Sequence, residues 1–173
     1  DAGYDGREER KGYSRTGGRL RAMSGRIKAA YSFLGILLID QLVKFYVELT
    51  MLPGETIPVA APFFHITFVL NPGAAFGIFR DQQWLFLATA IVFSIAFLVF
   101  YERLRRSGVL IHYGSVALAA GAVSNLIDRI RLGHVVDFFD FRIWPVFNIA
   151  DIAIVLGTGA VLWALFVQRR EIR

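Results

Sequence analysis

Four long apolar stretches constrain this chain more than anything else in it. They are Ile27 to Val47, Trp84 to Tyr101, Val109 to Ile127 and Val146 to Val167, and the second, "WLFLATAIVFSIAFLVFY", holds no charge. A helix needs roughly 20 largely apolar residues to cross a hydrocarbon core about 30 Å thick, and each stretch comes near that length. Lipid offers no partner to a backbone N–H or C=O, so each span must satisfy its own backbone as a helix. The composition agrees, with 55% hydrophobic and 14% aromatic residues gathered in runs rather than alternating. We therefore expect an all-α membrane protein whose four transmembrane helices form a single domain over residues 23–173. The third stretch, "GSVALAAGAVS", is rich in small residues, which let helix backbones approach closely in lipid.

Residues 1–22, beginning "DAGYDGREERKGYSRTGG", lack apolar periodicity, and Met23 opens a plausible short lead. We expect a disordered, basic tail there, of upstream or cloning origin. The first apolar run meets Asp40 instead of a small-residue cleavage site, so it reads as a retained anchor.

Basic residues fix the expected orientation, because short cytoplasmic loops are enriched in Lys and Arg. Eight lie before or at the very start of the first span, from Arg7 to Lys28; Arg103, Arg105 and Arg106 separate the second from the third; Arg169, Arg170 and Arg173 end the chain. Both termini are then cytoplasmic, and the net charge of +5 reflects topology rather than nucleic-acid binding.

With that orientation the polar residues converge. Asp40 and Lys44 fall at the outer end of span one, Asn125, Asp128 and Arg129 at the outer end of span three, and Asn148 and Asp151 at the outer start of span four. Asp137 falls in the loop between spans three and four. Spacings of three or four residues put Asn125 with Asp128 or Arg129, Asn148 with Asp151, and Asp40 with Lys44 on shared helix faces. Ionisable groups in membrane helices cost about 2.5–3.5 kcal/mol each on insertion scales, which makes such a cluster a functional hypothesis. Asp40 and Lys44 read as an ion pair that fixes helix packing. Asp140 reads as a solvated loop carboxylate. His65, His112 and His134 are dispersed and form no ligand set, and the chain has no cysteine, so no metal centre is expected.

Between the first two spans, "FFHITFVLN" has strand composition and "MLPGETIPVAAP" has turn chemistry, so we expect a small extracytoplasmic β-sheet. After it, "NPGAAFGIF" (Asn71 to Phe79) suggests a short interfacial helix or turn.

Asp137 and Asp151 are the candidates for chemistry. If their charges stand about 4 Å apart at an effective dielectric near 20, they repel by about 4 kcal/mol, or roughly three pKa units. One then holds its proton up to about pH 7, as in an aspartyl protease dyad, where the ionised carboxylate activates water and the protonated one assists the carbonyl. The alternative class is a small transporter or proton channel, but spans two and three offer few polar residues at depth. There is no G-x-S-x-G elbow, Walker loop or H-E-x-x-H motif.

Five ordered motifs add a resemblance: "DQLVK" (Asp40 to Lys44), "NPGAAFGIF", "SNLIDR" (Ser124 to Arg129), "GHVVDF" (Gly133 to Phe138) and "FNIADIAI" (Phe147 to Ile154). From Met23 onward the chain resembles lipoprotein signal peptidase, or signal peptidase II, a bacterial inner-membrane aspartyl protease family. The resemblance implies cleavage on the N-terminal side of a diacylglyceryl-modified lipobox cysteine in prolipoproteins, contact with membrane lipid, inhibition by globomycin-type compounds, and no cofactor. It implies catalytic roles for Asp137 and Asp151, substrate-positioning or supporting roles for Asn71, Asn125, Asp128, Arg129 and Asn148, and structural support from Asp40 and Lys44. The family usually carries glycine where Ser124 stands, which puts close helix packing at that point in question.

Overall fold

The computed structural model describes the backbone of residues 6–73 and 83–171 and the side chains of 23–73 and 84–170. Its elements run α1 (Gly6–Thr50), β1 (Thr56–Ala60), β2 (Phe64–Asn71), α2 (Gln83–Arg106), α3 (Val109–Leu132), β3 (Val135–Asp140) and α4 (Ile149–Glu171). Four helical segments are long and apolar enough to span a membrane: Met23–Thr50, Trp84–Arg106, Val109–Leu132 and Ile149–Arg170. This is a multi-pass membrane protein, mostly helical, with one small sheet. Its outward-facing Leu, Ile, Val and Phe side chains, such as Leu98 and Leu156, are the surface that hydrocarbon solvates.

Helix α3 is the hub, since α1, α2 and α4 all pack on it and α4 does so most extensively. The α3–α4 contact uses the small residues seen in the sequence. A Cβ on Gly121 would stand 2.4 Å from the Ala150 carbonyl oxygen, and one on Gly157 would stand 2.5 Å from that of Gly114. Only glycine permits backbones that close.

The sheet is antiparallel in the order β1-β2-β3 and lies at the end of the bundle where α1 and α3 finish and α4 begins. Gly133 ends α3 in the left-handed conformation (φ 79°), its N–H bonded to the Arg129 carbonyl, and so turns the chain into β3. Beneath the sheet Val47, Met51, Phe68, Val136 and Phe138 form the buried core.

Three expectations change. The "TIPVA" part of the presumed turn segment forms strand β1, a largely exposed edge that extends β2. Asp137 sits on a strand rather than in a loop. Asp140 is buried, not solvated: it accepts from Thr67 Oγ1 at 2.7 Å and from the Arg142 N–H at 2.8 Å, fixing the turn that leaves β3. Burial pushes its carboxyl up, but these bonds and the Arg142 charge outweigh it and leave the group below the usual carboxylate range. The expected short interfacial helix or turn, Asn71 to Phe79, falls mostly on residues 74–79, outside the described residues.

Candidate active site

The start of α4 sets the geometry. Asn148 is the residue before the helix; its Oδ1 accepts the Asp151 N–H at 2.8 Å, and Asp151 Oδ2 accepts the Asn148 N–H at 3.3 Å. This reciprocal capping satisfies orphan donors of the first turn and locks the Asp151 side chain. A third donor, the Ala150 N–H, bonds Asp40 Oδ1 at 2.8 Å, so α1 helps hold the same helix end.

Asp137 reaches this point from β3. Its Oδ1 accepts Asn148 Nδ2 at 2.7 Å, and its Oδ2 accepts Asn71 Nδ2 at 2.9 Å from the end of β2. Asp151 Oδ1 accepts Asn125 Nδ2 at 2.8 Å from α3. The two asparagines are joined, since Asn148 Nδ2 also donates to Asn125 Oδ1 at 3.1 Å. Each carboxylate is thus aimed by amides on other elements.

Lys44 anchors the layer below. Fully buried, its ammonium contacts Asp40 Oδ2 at 2.7 Å, Asp128 Oδ2 at 2.7 Å and Asn125 Oδ1 at 2.9 Å, which uses all three of its N–H bonds. Ser124 donates to Asp40 Oδ2 at 2.6 Å and accepts from Gln41 Nε2 at 3.0 Å; Gln41 Nε2 also donates to Asp128 Oδ1 at 2.8 Å. The serine therefore fits its close-packed position with its hydroxyl bonded. Among the described residues no buried side-chain polar atom lacks a partner.

Asp137 and Asp151 line one cleft of about 460 Å³. Phe86, Thr89 and Phe93 of α2, Arg129 of α3, Ile154 of α4 and the Trp144 to Phe147 loop complete its walls. The Arg129 guanidinium lies 5.2 Å from the Phe86 ring centre and acts electrostatically on Asp151, Asp137 and Asp128. Burial, then the charge of Asp151, raise the Asp137 carboxyl from 3.8 to about 7, against the lowering effect of Asn71, Lys44 and Asn148. Desolvation is the larger cause, ahead of the charge repulsion that the sequence suggests.

The site residues expected from the sequence, Asp40, Lys44, Asn71, Asn125, Asp128, Arg129, Asp137, Asn148 and Asp151, fall within this connected cluster, whereas Asp140 lies apart on Thr67 and Arg142. Gln41, inside the "DQLVK" motif, and the aromatic cleft walls were not singled out from the sequence, because neither role follows from helical spacing.

The chain matches the signal peptidase (SPase) II family over residues 32–167. It belongs to that family. A lipoprotein signal peptidase of Pelotomaculum thermopropionicum is 47% identical over 130 residues, covering 75% of this chain and 86% of that protein. One of Clostridioides difficile is 45% identical over 146 residues, covering 82% and 98%. A solved structure described as a bacterial membrane enzyme, determined in meso at 2.3 Å resolution, superposes with a TM-score of 0.79 at 30% identity, covering 84% of this chain and 92% of that one. Signal peptidase II members are peptidases, so the chain is a membrane-embedded peptide-bond hydrolase.

Proposed function

We propose that this protein is an aspartic endopeptidase that removes signal peptides from prolipoproteins, cutting on the N-terminal side of the diacylglyceryl-modified lipobox cysteine. The observation that carries the reading is the placement of Asp137 and Asp151 on one cleft, each held by amide donors. The names of the relatives, lipoprotein signal peptidases, supply the substrate class.

In this reading the pair carries one proton between them, and the proton belongs to the pair rather than to either residue. The ionised carboxylate takes a proton from water, the oxygen attacks the scissile carbonyl, and the protonated carboxyl donates to the carbonyl oxygen. Collapse of the tetrahedral intermediate returns a proton to the departing nitrogen, which becomes the new amino terminus. A carboxyl that titrates at about 7 is suited to exchanging protons near neutral pH. Asn148 and Asn125 hold the carboxylates in place, Arg129 balances their charge, and Asn71 and Asp128 tie β2 and α1 to the same point.

The membrane is the bacterial inner membrane, with the sheet and cleft on its outer side and both termini in the cytoplasm. Supporting this, Arg103, Arg105, Arg106, Arg169 and Arg170 lie at the bundle end opposite the sheet. The apolar cleft walls face the bilayer, which suits a substrate that carries acyl chains. Cleavage of a diacylglyceryl-modified prolipoprotein by the purified protein, read as a gel shift and blocked by globomycin, tests the reading.

A further inference from the structure

The turn that leaves β3 carries polar side chains that the hydrolysis does not use. Among the described residues Arg142 is the one residue other than glycine with a positive φ, at 64°. Glycine takes this left-handed conformation freely, whereas an arginine there is strained and persists only where its surroundings hold it. The surroundings here are specific. The Arg142 N–H donates to Asp140 Oδ1 at 2.8 Å, its Nη1 stands 3.5 Å from Asp140 Oδ2, and its Nε donates to His65 Nδ1 at 3.1 Å. Asp140 and His65 are buried register partners on β3 and β2, and Thr67 Oγ1 donates to Asp140 Oδ2 at 2.7 Å from β2 as well. The guanidinium therefore ties the turn to both strands, which a glycine could not do.

What the tie controls is the loop beyond it. Residues 143–146 run between two fixed points, the Arg142 turn behind and Phe147 ahead. The Phe147 carbonyl accepts the Phe138 and Phe139 N–H groups at 3.1 and 2.8 Å, and its N–H donates to the Phe139 carbonyl at 3.1 Å. Phe141 stacks on Phe147, ring centres 5.9 Å apart and planes 9° apart, and closes the base of the loop. Ile143 at the tip is 92% exposed, while Trp144, Pro145 and Val146 line the cleft that holds Asp137 and Asp151. Asn148, which aims both carboxylates, comes after the Phe147 anchor. The position of this cleft wall and the geometry of the carboxylates are thus fixed by separate bonds.

We propose that Arg142 is a positioning residue whose tie to Asp140 and His65 holds the wall formed by residues 144–146 in place for the substrate. The inference rests on the function proposed above and adds what sets one wall of its cleft. Because the wall touches substrate and not the reacting atoms, the tie governs how tightly substrate binds, and the bonds around Asn148 govern how fast it is cut.

The test uses the full-length protein in lipid nanodiscs with a diacylglyceryl-modified prolipoprotein. Arg142→Gly keeps the left-handed turn available while removing both side-chain bonds, and His65→Leu removes the acceptor on β2. Each raises KM by about tenfold and leaves kcat within about twofold of the wild-type value. His65→Asn puts an amide oxygen where the ring Nδ1 stands and returns KM towards wild type. Trp144 reports on the loop directly, since with Trp84→Phe and Trp163→Phe it is the last of three tryptophans. Adding Arg142→Gly to that background lowers the Trp144 fluorescence anisotropy and increases its quenching by acrylamide. Wild-type KM in both Arg142→Gly and His65→Leu, or a kcat that falls with the melting temperature at unchanged KM, overturns the proposal while leaving the peptidase reading intact. Failure of the unmodified protein to cleave defeats that underlying reading instead, and unchanged Trp144 anisotropy in Arg142→Gly then overturns the tie itself.

Discussion

Lys44 and Asn125 meet inside the bundle, the lysine Nζ donating to the asparagine Oδ1 at 2.9 Å, while the asparagine Nδ2 donates to Asp151 at 2.8 Å. A charge on α1 thereby orients an amide on α3 that holds a carboxylate on α4. The lysine also neutralises part of the charge of Asp40 and Asp128, both fully buried. Lys44→Met leaves those carboxylates without a cation, and breaking a buried pair in this way costs about 3–5 kcal/mol. We expect a marked fall in thermal stability in detergent together with loss of cleavage, read by unfolding fluorescence and by the gel shift.

Ser124 tests a smaller interaction. Its hydroxyl is buried, donates to Asp40 and accepts from Gln41. Ser124→Ala removes one charge-assisted hydrogen bond and costs about 1.5–3 kcal/mol. Cleavage at permissive temperature persists, since Lys44 and the Ala150 N–H still hold Asp40.

Gly121 sits where α3 touches the first turn of α4, next to Asn125 and Ala150. A Cβ there meets the Ala150 carbonyl oxygen at 2.4 Å and Ile154 Cγ1 at 2.9 Å. Gly121→Leu forces the helices apart at the base of the cleft, with an overpacking cost of about 1–3 kcal/mol or more. Activity falls further than stability does, because Asn125 and Asp151 separate. Comparing kcat with the melting temperature separates the two effects.

The titration of Asp137 gives a pH prediction with a definite sign. Its carboxyl titrates at 3.8 when solvated and at about 7 when folded. Below about pH 4 both states hold the proton, and above about 7 neither does. Between these limits the folded state binds more protons, so this group makes stability decline as pH rises, by at most about 1.4 kcal/mol per pH unit. Unfolding measured from pH 4.5 to 8 shows that decline, and Asp137→Asn removes this share of it. Cleavage falls as pH rises above about 7, when the pair loses its shared proton.

Much of this was legible in the sequence because lipid makes the rules strict. Four apolar runs could only be helices, and the spacing of Asn148 and Asp151 already put them on one helix face. What stayed hidden depended on contacts between distant segments. Asp140 looks solvated between aromatic residues until Thr67, on another strand, is known to bond it. The "TIPVA" segment looks like a turn because its proline and exposed surface mask an edge strand. Gln41 gains its role only when α1 and α3 meet. Hydrophobic periodicity records which side of an element faces lipid, but not its partners across the bundle.

The central claim is that Asp137 and Asp151 together carry the hydrolysis, and single isosteric substitutions test it most directly. Asp137→Asn and Asp151→Asn preserve side-chain shape and leave an acceptor oxygen for the surrounding amides. Incubated with a diacylglyceryl-modified prolipoprotein, each variant gives no cleaved product while keeping a native elution profile and cooperative unfolding. Cleavage by either one at the wild-type rate contradicts the account.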